Sequence, residues 1–148
     1  LNNSNPKTEV SLFCAYSYTH ARYGNKHKTE STRGKFVENA PPNIVRGGFT
    51  VEHSAFNFTV QYNFTDATFS DANNTSNPSA NALTGIIPAY RIWDCTIGLK
   101  IKKHLTFAAG VNNIGNEFYF TRRASGYPGP GVMPADGRTL FSTLKLEL

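Results

Sequence analysis

Ten consecutive residues, Phe56 to Thr65, alternate without a break between apolar or aromatic side chains and polar ones. Phe56, Phe58, Val60, Tyr62 and Phe64 interleave with Asn57, Thr59, Gln61, Asn63 and Thr65. Successive side chains of an extended chain leave opposite faces, so this run makes a strand with one apolar and one polar face. A helix would scatter the same aromatics around its whole circumference.

Five further segments read the same way, which predicts six strands in all. Val10, Leu12, Cys14, Tyr16 and Tyr18 share a face opposite Ser11, Ala15, Ser17 and Thr19, with Phe13 out of pattern. Val45, Gly47, Phe49 and Val51 oppose Arg46, Gly48, Thr50 and Glu52. Trp93, Cys95, Ile97, Leu99 and Ile101 oppose Asp94, Thr96, Gly98, Lys100 and Lys102. Leu105, Phe107, Ala109 and Val111 oppose Thr106, Ala108, Gly110 and Asn112. Last, Leu140, Leu144, Leu146 and Leu148 oppose Thr139, Thr143, Lys145 and Glu147, with Phe141 and Ser142 imperfect.

The connections alternate in length. Polar, Gly- and Pro-bearing stretches at about 24–43, 70–87 and 121–137 separate short links near His53-Ser54-Ala55 and Lys103-His104. Every long loop therefore emerges on one side of the sheet, which is the pattern of an outer-membrane barrel. The aromatics agree with it. Tyr16, Tyr18, Tyr23, Phe69, Tyr90, Trp93, Phe118, Tyr119 and Phe120 fall near the long loops, and Phe56 and Phe58 sit by a short turn. Amphipathic rings collect at both membrane interfaces.

Composition narrows the alternatives. No run reaches the roughly 18 apolar residues of a transmembrane helix, and mean hydropathy is −0.38. That says nothing against membrane strands, whose alternation averages out. The net charge is +5, but the basic residues are dispersed, the tightest groups being Lys100-Ile101-Lys102-Lys103 and Arg122-Arg123. Dispersed charge argues against a nucleic-acid partner. Cys14 and Cys95 lie far apart on apolar faces; one disulfide stays open, and two small buried or lipid-facing hydrophobes is the favoured reading.

A soluble β-sandwich also alternates, but its solvent face favours Lys and Glu over the Thr, Asn, Gly and Gln found here, and its aromatics belong at strand centres. Six strands are too few to close a membrane barrel alone, since the smallest single-chain examples have about eight. An open sheet in lipid would leave two costly unpaired edges. The chain opens at Leu1, its only Met is Met133, and no basic-then-apolar leader precedes the first strand. The expectation is an all-β, antiparallel, up-and-down transmembrane barrel, of which residues 1–148 are the C-terminal part.

The last third of the chain carries a resemblance. Ala109-Gly110-Val111-Asn112-Asn113-Ile114-Gly115-Asn116-Glu117-Phe118-Tyr119 resembles the penultimate-strand motif of TonB-dependent outer-membrane receptors, Gly-Val-x-Asn-Leu-Phe-Asp followed after two residues by Tyr. Gly126-Tyr127-Pro128-Gly129-Pro130-Gly131 and Pro134-Ala135-Asp136-Gly137-Arg138-Thr139 resemble the last loop and final strand of members related to ferric citrate receptors. Val37-Glu38-Asn39-Ala40-Pro41 and Ile87-Pro88-Ala89-Tyr90-Arg91-Ile92-Trp93-Asp94 match positions entering other strands. Gly115 and Asn116 depart from the family's Phe and Asp, and Leu148 stands where the family usually ends in Phe.

The resemblance implies a 22-stranded barrel occluded by an N-terminal plug, of which this chain would be the last six strands. It implies uptake of a ferric chelate, ferric citrate or a siderophore, across a Gram-negative outer membrane. The plug and the TonB box would lie in a missing N-terminal part, and partners would include outer-membrane lipid and lipopolysaccharide.

Arg122, Arg123 and Tyr127 in the last long loop are the candidate ligand-binding residues. Guanidinium forks bind anionic chelates through charge-assisted bidentate bonds; the competing reading is a solvated or lipopolysaccharide-facing loop. Arg22 and Arg138 are expected to pair with Asp66, Asp94 or Glu117 across the lumen. The stretch Gly126–Gly131 lacks the strand-to-helix context of a phosphate loop. His20, His27, His53 and His104 show no metal-ligand spacing, and no nucleophile pairs with a base, so no metal, cofactor or enzymatic activity is expected. Asn57-Phe58-Thr59 and Asn63-Phe64-Thr65 match a glycosylation pattern inside a strand and carry no meaning in a bacterial chain. Two other readings stand beside this one: a soluble β-sandwich binding module, and a small oligomeric porin-like barrel.

Overall fold

A computed structural model describes residues 7–126 and 129–147 of the chain. The strands are β1 (Thr8–Tyr18), β2 (Asn43–His53), β3 (Phe56–Thr65), β4 (Thr68–Phe69), β5 (Ile86–Ile87), β6 (Tyr90–Lys102), β7 (Leu105–Asn112), β8 (Phe120–Ala124), β9 (Gly131–Pro134) and β10 (Thr139–Leu146). One six-stranded sheet has the order β1-β2-β3-β6-β7-β10. All its pairs are antiparallel, so the chain runs up and down across the sheet without a crossover. The six strands are those the alternation predicts.

The register joins the alternations into one surface. Leu12, Phe49, Val60, Cys95, Val111 and Leu140 stand opposite one another across all six strands. The next row of the same face runs Val10, Val51, Phe58, Ile97, Ala109 and Ser142. A slip of one residue at any pair would interrupt these rows, because it turns every side chain of that strand over.

Among the described residues no protein layer covers this apolar face. Leu12 is 83% exposed and Leu140 73%, and the buried apolar side chains among the described residues are Ile87 and Ile92. A soluble sandwich requires a second sheet against that face. The only other sheets among the described residues are β4–β5 and β8–β9, two strands each, both within long loops. The sandwich alternative therefore fails on architecture. Cys14 and Cys95 are free thiols on the apolar face, as small hydrophobes there.

Two residues that break the alternation have a common explanation. Phe13 stands opposite Gly48, and Phe141 stands opposite Gly110, on the polar face. A Cβ at Gly48 would meet Phe13 Cε1 at 2.7 Å, and one at Gly110 would meet Phe141 Cε1 at 2.5 Å. Each ring lies across the bare backbone of its cross-strand glycine, where no other residue fits. Such aromatic cover repairs the packing a glycine forfeits in a strand.

One facing expectation is corrected. Lys100 stands opposite Thr106 on the polar face, but Lys102 stands opposite Leu105, which belongs to the apolar face. A two-against-one bulge between Lys100 and Lys102 turns Lys102 over.

The short turns are Ser54-Ala55 and Lys103-His104, and the long connections span 19–42, 66–89 and 113–138. The long loops carry local structure of their own. The first holds a 3-10 turn at Glu30–Thr32, the second holds β4–β5, and the third holds β8–β9. Leu148 and Tyr127 lie outside the described residues.

Candidate functional site

The sequence motif after β7 folds into a knot around one asparagine. Asn113 is 3% exposed and adopts φ 51, a left-handed conformation that asparagine tolerates better than most residues. Its Nδ2 donates to the carbonyls of Glu117 (2.9 Å) and Asp136 (3.3 Å), and its Oδ1 accepts the Glu117 N–H at 2.8 Å. Its own N–H donates to Asp94 Oδ1 at 2.7 Å. One residue, through its side chain and its own N–H, thus ties β6, the loop after β7 and the approach to β10. Asn116, also left-handed at φ 50, accepts the Arg138 N–H at 2.9 Å. The aspartate usual at that position would accept the same bond.

A second asparagine joins the first two loops. Asn74, at φ 55, accepts the Phe36 N–H at 2.7 Å and donates to the Phe36 carbonyl at 2.8 Å, as a neighbouring strand would. Asp71 holds the turn around it, accepting from the backbone N–H groups of Asn73 and Thr75 and from the Thr75 hydroxyl. Phe36 stacks on Phe69 at 6.4 Å, and the Arg22 guanidinium lies 3.8 Å above the Phe36 ring.

Arg122 and Arg123 are adjacent on β8, so their side chains diverge. The Arg123 guanidinium donates to the carbonyls of Ala82 and Ile86, both at 2.9 Å, and rests near the Phe120 ring. It clasps the third loop to the second. Arg122 is exposed, opposite Met133 of β9, and its guanidinium has no hydrogen-bond or ion-pair partner among the described residues. The structure thus divides the candidate pair into one committed and one uncommitted cation.

The polar face at this end holds a concavity of about 400 Å³ lined by Asp94, Asn112, Tyr119, Asp136 and Thr139. Tyr90 and Tyr119 stack above it at 4.4 Å. Tyr90 pairs with Thr65 in a row of the polar face, so it points inward and does not join the outer aromatic belt. Burial, then the neighbouring Tyr90, Asp94 and Asp136, pushes the Tyr119 phenol above its ordinary value. On the outer face the belt is real: Tyr16 and Tyr18 are exposed, and Tyr62 and Trp93 pack with ring centres 4.5 Å apart.

The expected Arg22 and Arg138 ion pairs do not form. Arg22 donates to the Gly34 carbonyl at 2.7 Å and to His20 Nε2 at 3.1 Å. Asp66 instead accepts from Asn43 Nδ2 at 2.7 Å, and Asp94 from the Asn113 N–H. The ion pairs among the described residues are Arg33–Glu30 and Lys145–Glu147. An amide and a backbone donor thus occupy Asp66 and Asp94 in place of the arginines. Sequence reasoning missed the roles of Asn74 and Asn113, although Asn113 stands inside the motif that carries the resemblance.

Comparison with protein families gives a match over residues 5–114 to the TonB dependent receptor-like β-barrel. This chain belongs to that family. The ferric citrate transporter FecA, in its unliganded form, is 27% identical and superposes with a TM-score of 0.82, covering 93% of this chain and 21% of FecA. The siderophore receptor PiuA from Acinetobacter baumannii is 17% identical with a TM-score of 0.70, and 19% of it is covered. The ferric-catecholate import receptor Fiu from K12 E. coli is 13% identical with a TM-score of 0.72, and 18% of it is covered. The last two likenesses establish the fold alone. The chain spans about a fifth of the length of these structures, and it is a segment of a larger barrel that does not close on itself.

Proposed function

We propose that the chain is the C-terminal strand set of a TonB-dependent receptor that imports a ferric chelate, a siderophore or ferric citrate, across a Gram-negative outer membrane. The observation that carries this reading is the unbroken apolar face across six antiparallel strands, with the long loops on one rim, in a chain 27% identical to a ferric citrate transporter. In the intact receptor the apolar face meets lipid, and the Thr, Asn and Gln face lines a lumen against the plug. The plug and the TonB-coupling segment belong to the rest of the receptor, in a barrel of about 22 strands. The long loops face the outside, beside lipopolysaccharide.

In this reading Arg122 and Tyr127 offer a cationic and a phenolic contact to an anionic chelate, and Arg123 positions Arg122 by holding β8 to the neighbouring loop. Arg122 is the residue to test, because its guanidinium is exposed and uncommitted. The experiment is binding and uptake of radioiron-labelled ferric dicitrate and ferric siderophores by cells carrying the intact receptor, with Arg122→Ala beside it. Loss of one charge-assisted contact is expected to weaken binding on the order of tenfold for the accepted chelate. Unchanged binding of every chelate would remove Arg122 from the site. A receptor that takes up no ferric chelate would overturn the function.

A further inference from the structure

The basic cluster Lys100-Ile101-Lys102-Lys103 sits at the short-turn rim, opposite the long loops that hold Arg122 and Arg123. The β6 bulge brings Lys102 opposite Leu105, onto the apolar face, in the row that continues to Leu146. Ile101 is 54% exposed beside it and Leu146 64%. Lys103 and His104 form the adjoining turn, and the Glu147 N–H donates to the His104 carbonyl, tying that turn to the end of β10. Lys102, Lys103 and His104 are all exposed. The nearby Lys145 and Glu147 satisfy each other, and Lys145 stands opposite Thr106 on the polar face with Lys100. The cations that the bulge and turn direct outward therefore have no acidic partner among the described residues, and they lie directly below exposed aliphatic side chains.

We propose that Lys102, Lys103 and His104, with Ile101, Leu105 and Leu146 above them, form a docking site for an anionic phospholipid in the leaflet on the short-turn side. The inference rests on the reading that the apolar face meets lipid. Short turns of such barrels face the periplasm, where that leaflet is phospholipid. An acyl chain lies along the aliphatic residues, and the headgroup phosphate meets the two ammonium groups at the level of the turn. A bulge re-aims a side chain at the cost of ladder hydrogen bonds. Here it turns toward lipid a lysine that plain alternation would send into the lumen.

The test uses the intact receptor in bilayers of phosphatidylcholine, with spin-labelled phosphatidylglycerol or spin-labelled phosphatidylcholine as the probe. Electron paramagnetic resonance reads the motionally restricted lipid at the protein wall. Each lysine near the surface is expected to favour the anionic lipid about fivefold, so Lys102→Gln with Lys103→Gln is expected to lower the preference on the order of 25-fold at this site. Lys100→Gln, on the polar face, is expected to leave it unchanged. The unaltered receptor in about 1 M salt, where screening shortens to roughly 3 Å, is expected to lose the preference as well, which keeps the test open should the double variant misfold. A preference that survives both the double variant and salt, or falls equally with Lys100→Gln, overturns the site. Absence of any restricted lipid, anionic or neutral, would instead overturn the membrane-facing reading beneath it.

Discussion

At the short-turn rim β2 passes to β3 through Ser54-Ala55 and β6 to β7 through Lys103-His104; at the other rim the chain runs through 19–42, 66–89 and 113–138 before rejoining the sheet. The same strands supply both ends, yet different chemistry holds them. Short turns leave few main-chain groups without partners; one supporting bond there is the Lys100 N–H to the Ala55 carbonyl at 2.7 Å. Long connections leave many, and an unpaired buried backbone group costs as much as a lost hydrogen bond. The long-loop rim answers with asparagines. Asn39, Asn74, Asn113 and Asn116 all take left-handed conformations, and the last three also bond main-chain groups through their amides. Asparagine suits this role because it tolerates positive φ and carries a donor and an acceptor on one short side chain.

The sharpest way to break the contrast is Asn113→Ala. It leaves the half-buried Glu117 N–H without its acceptor and removes both amide donors of the buried Asn113, with an expected cost of about 2–4 kcal/mol. Ser54→Ala at the short rim should stay within about 0.5 kcal/mol. Denaturant unfolding of the intact receptor in detergent reads both, and equal costs would erase the distinction between the rims.

A second comparison concerns the two faces of β3. Val60→Arg puts a charge on the apolar face and is expected to cost about 2–4 kcal/mol if that residue lies near the bilayer midplane. Thr59→Arg, one residue away, enters the polar face and gives up the Thr50 Oγ1 contact at 3.0 Å, with a cost of about 1 kcal/mol expected. Equal costs would reverse the assignment of lipid and lumen.

The smallest effect sits within the first long loop. The Tyr23 hydroxyl donates to Glu38 Oε2 at 2.5 Å, and that bond, with burial and the carboxylate charge, raises the phenol above its ordinary value of 10.0. The folded state therefore favours the protonated phenol. Its contribution is complete below pH 10.0 and is lost as the pH rises from there through the raised folded value. In a tyrosinate absorbance titration the raised Tyr23 and Tyr119 should form a late component, and Tyr23→Phe should shrink it by one phenol. An unchanged amplitude would show that the Tyr23 phenol is not raised and leave the late component to Tyr119.

Some of this was legible residue by residue. The run from Phe56 to Thr65 became β3 with both ends as expected, and the long loops emerged together. Phe13 and Phe141 were visible as exceptions but not explicable, because each is accounted for by a glycine on another strand. Arg122 and Arg123 were indistinguishable as neighbours in sequence; β8 sends one toward the carbonyls of the second loop and leaves the other exposed. Strands β8 and β9 were hidden by their brevity and by the glycines and prolines around them.

Periodicity is a local property, so the sequence by itself determined six amphipathic strands, their order of connection and the two chemically distinct faces. Register, the turning over of Lys102, the asparagine knots and the fate of each arginine depend on which distant backbone groups come within hydrogen-bond reach. Only the tertiary structure decided those, because a hydrogen bond acts over about 3 Å whatever the separation along the chain.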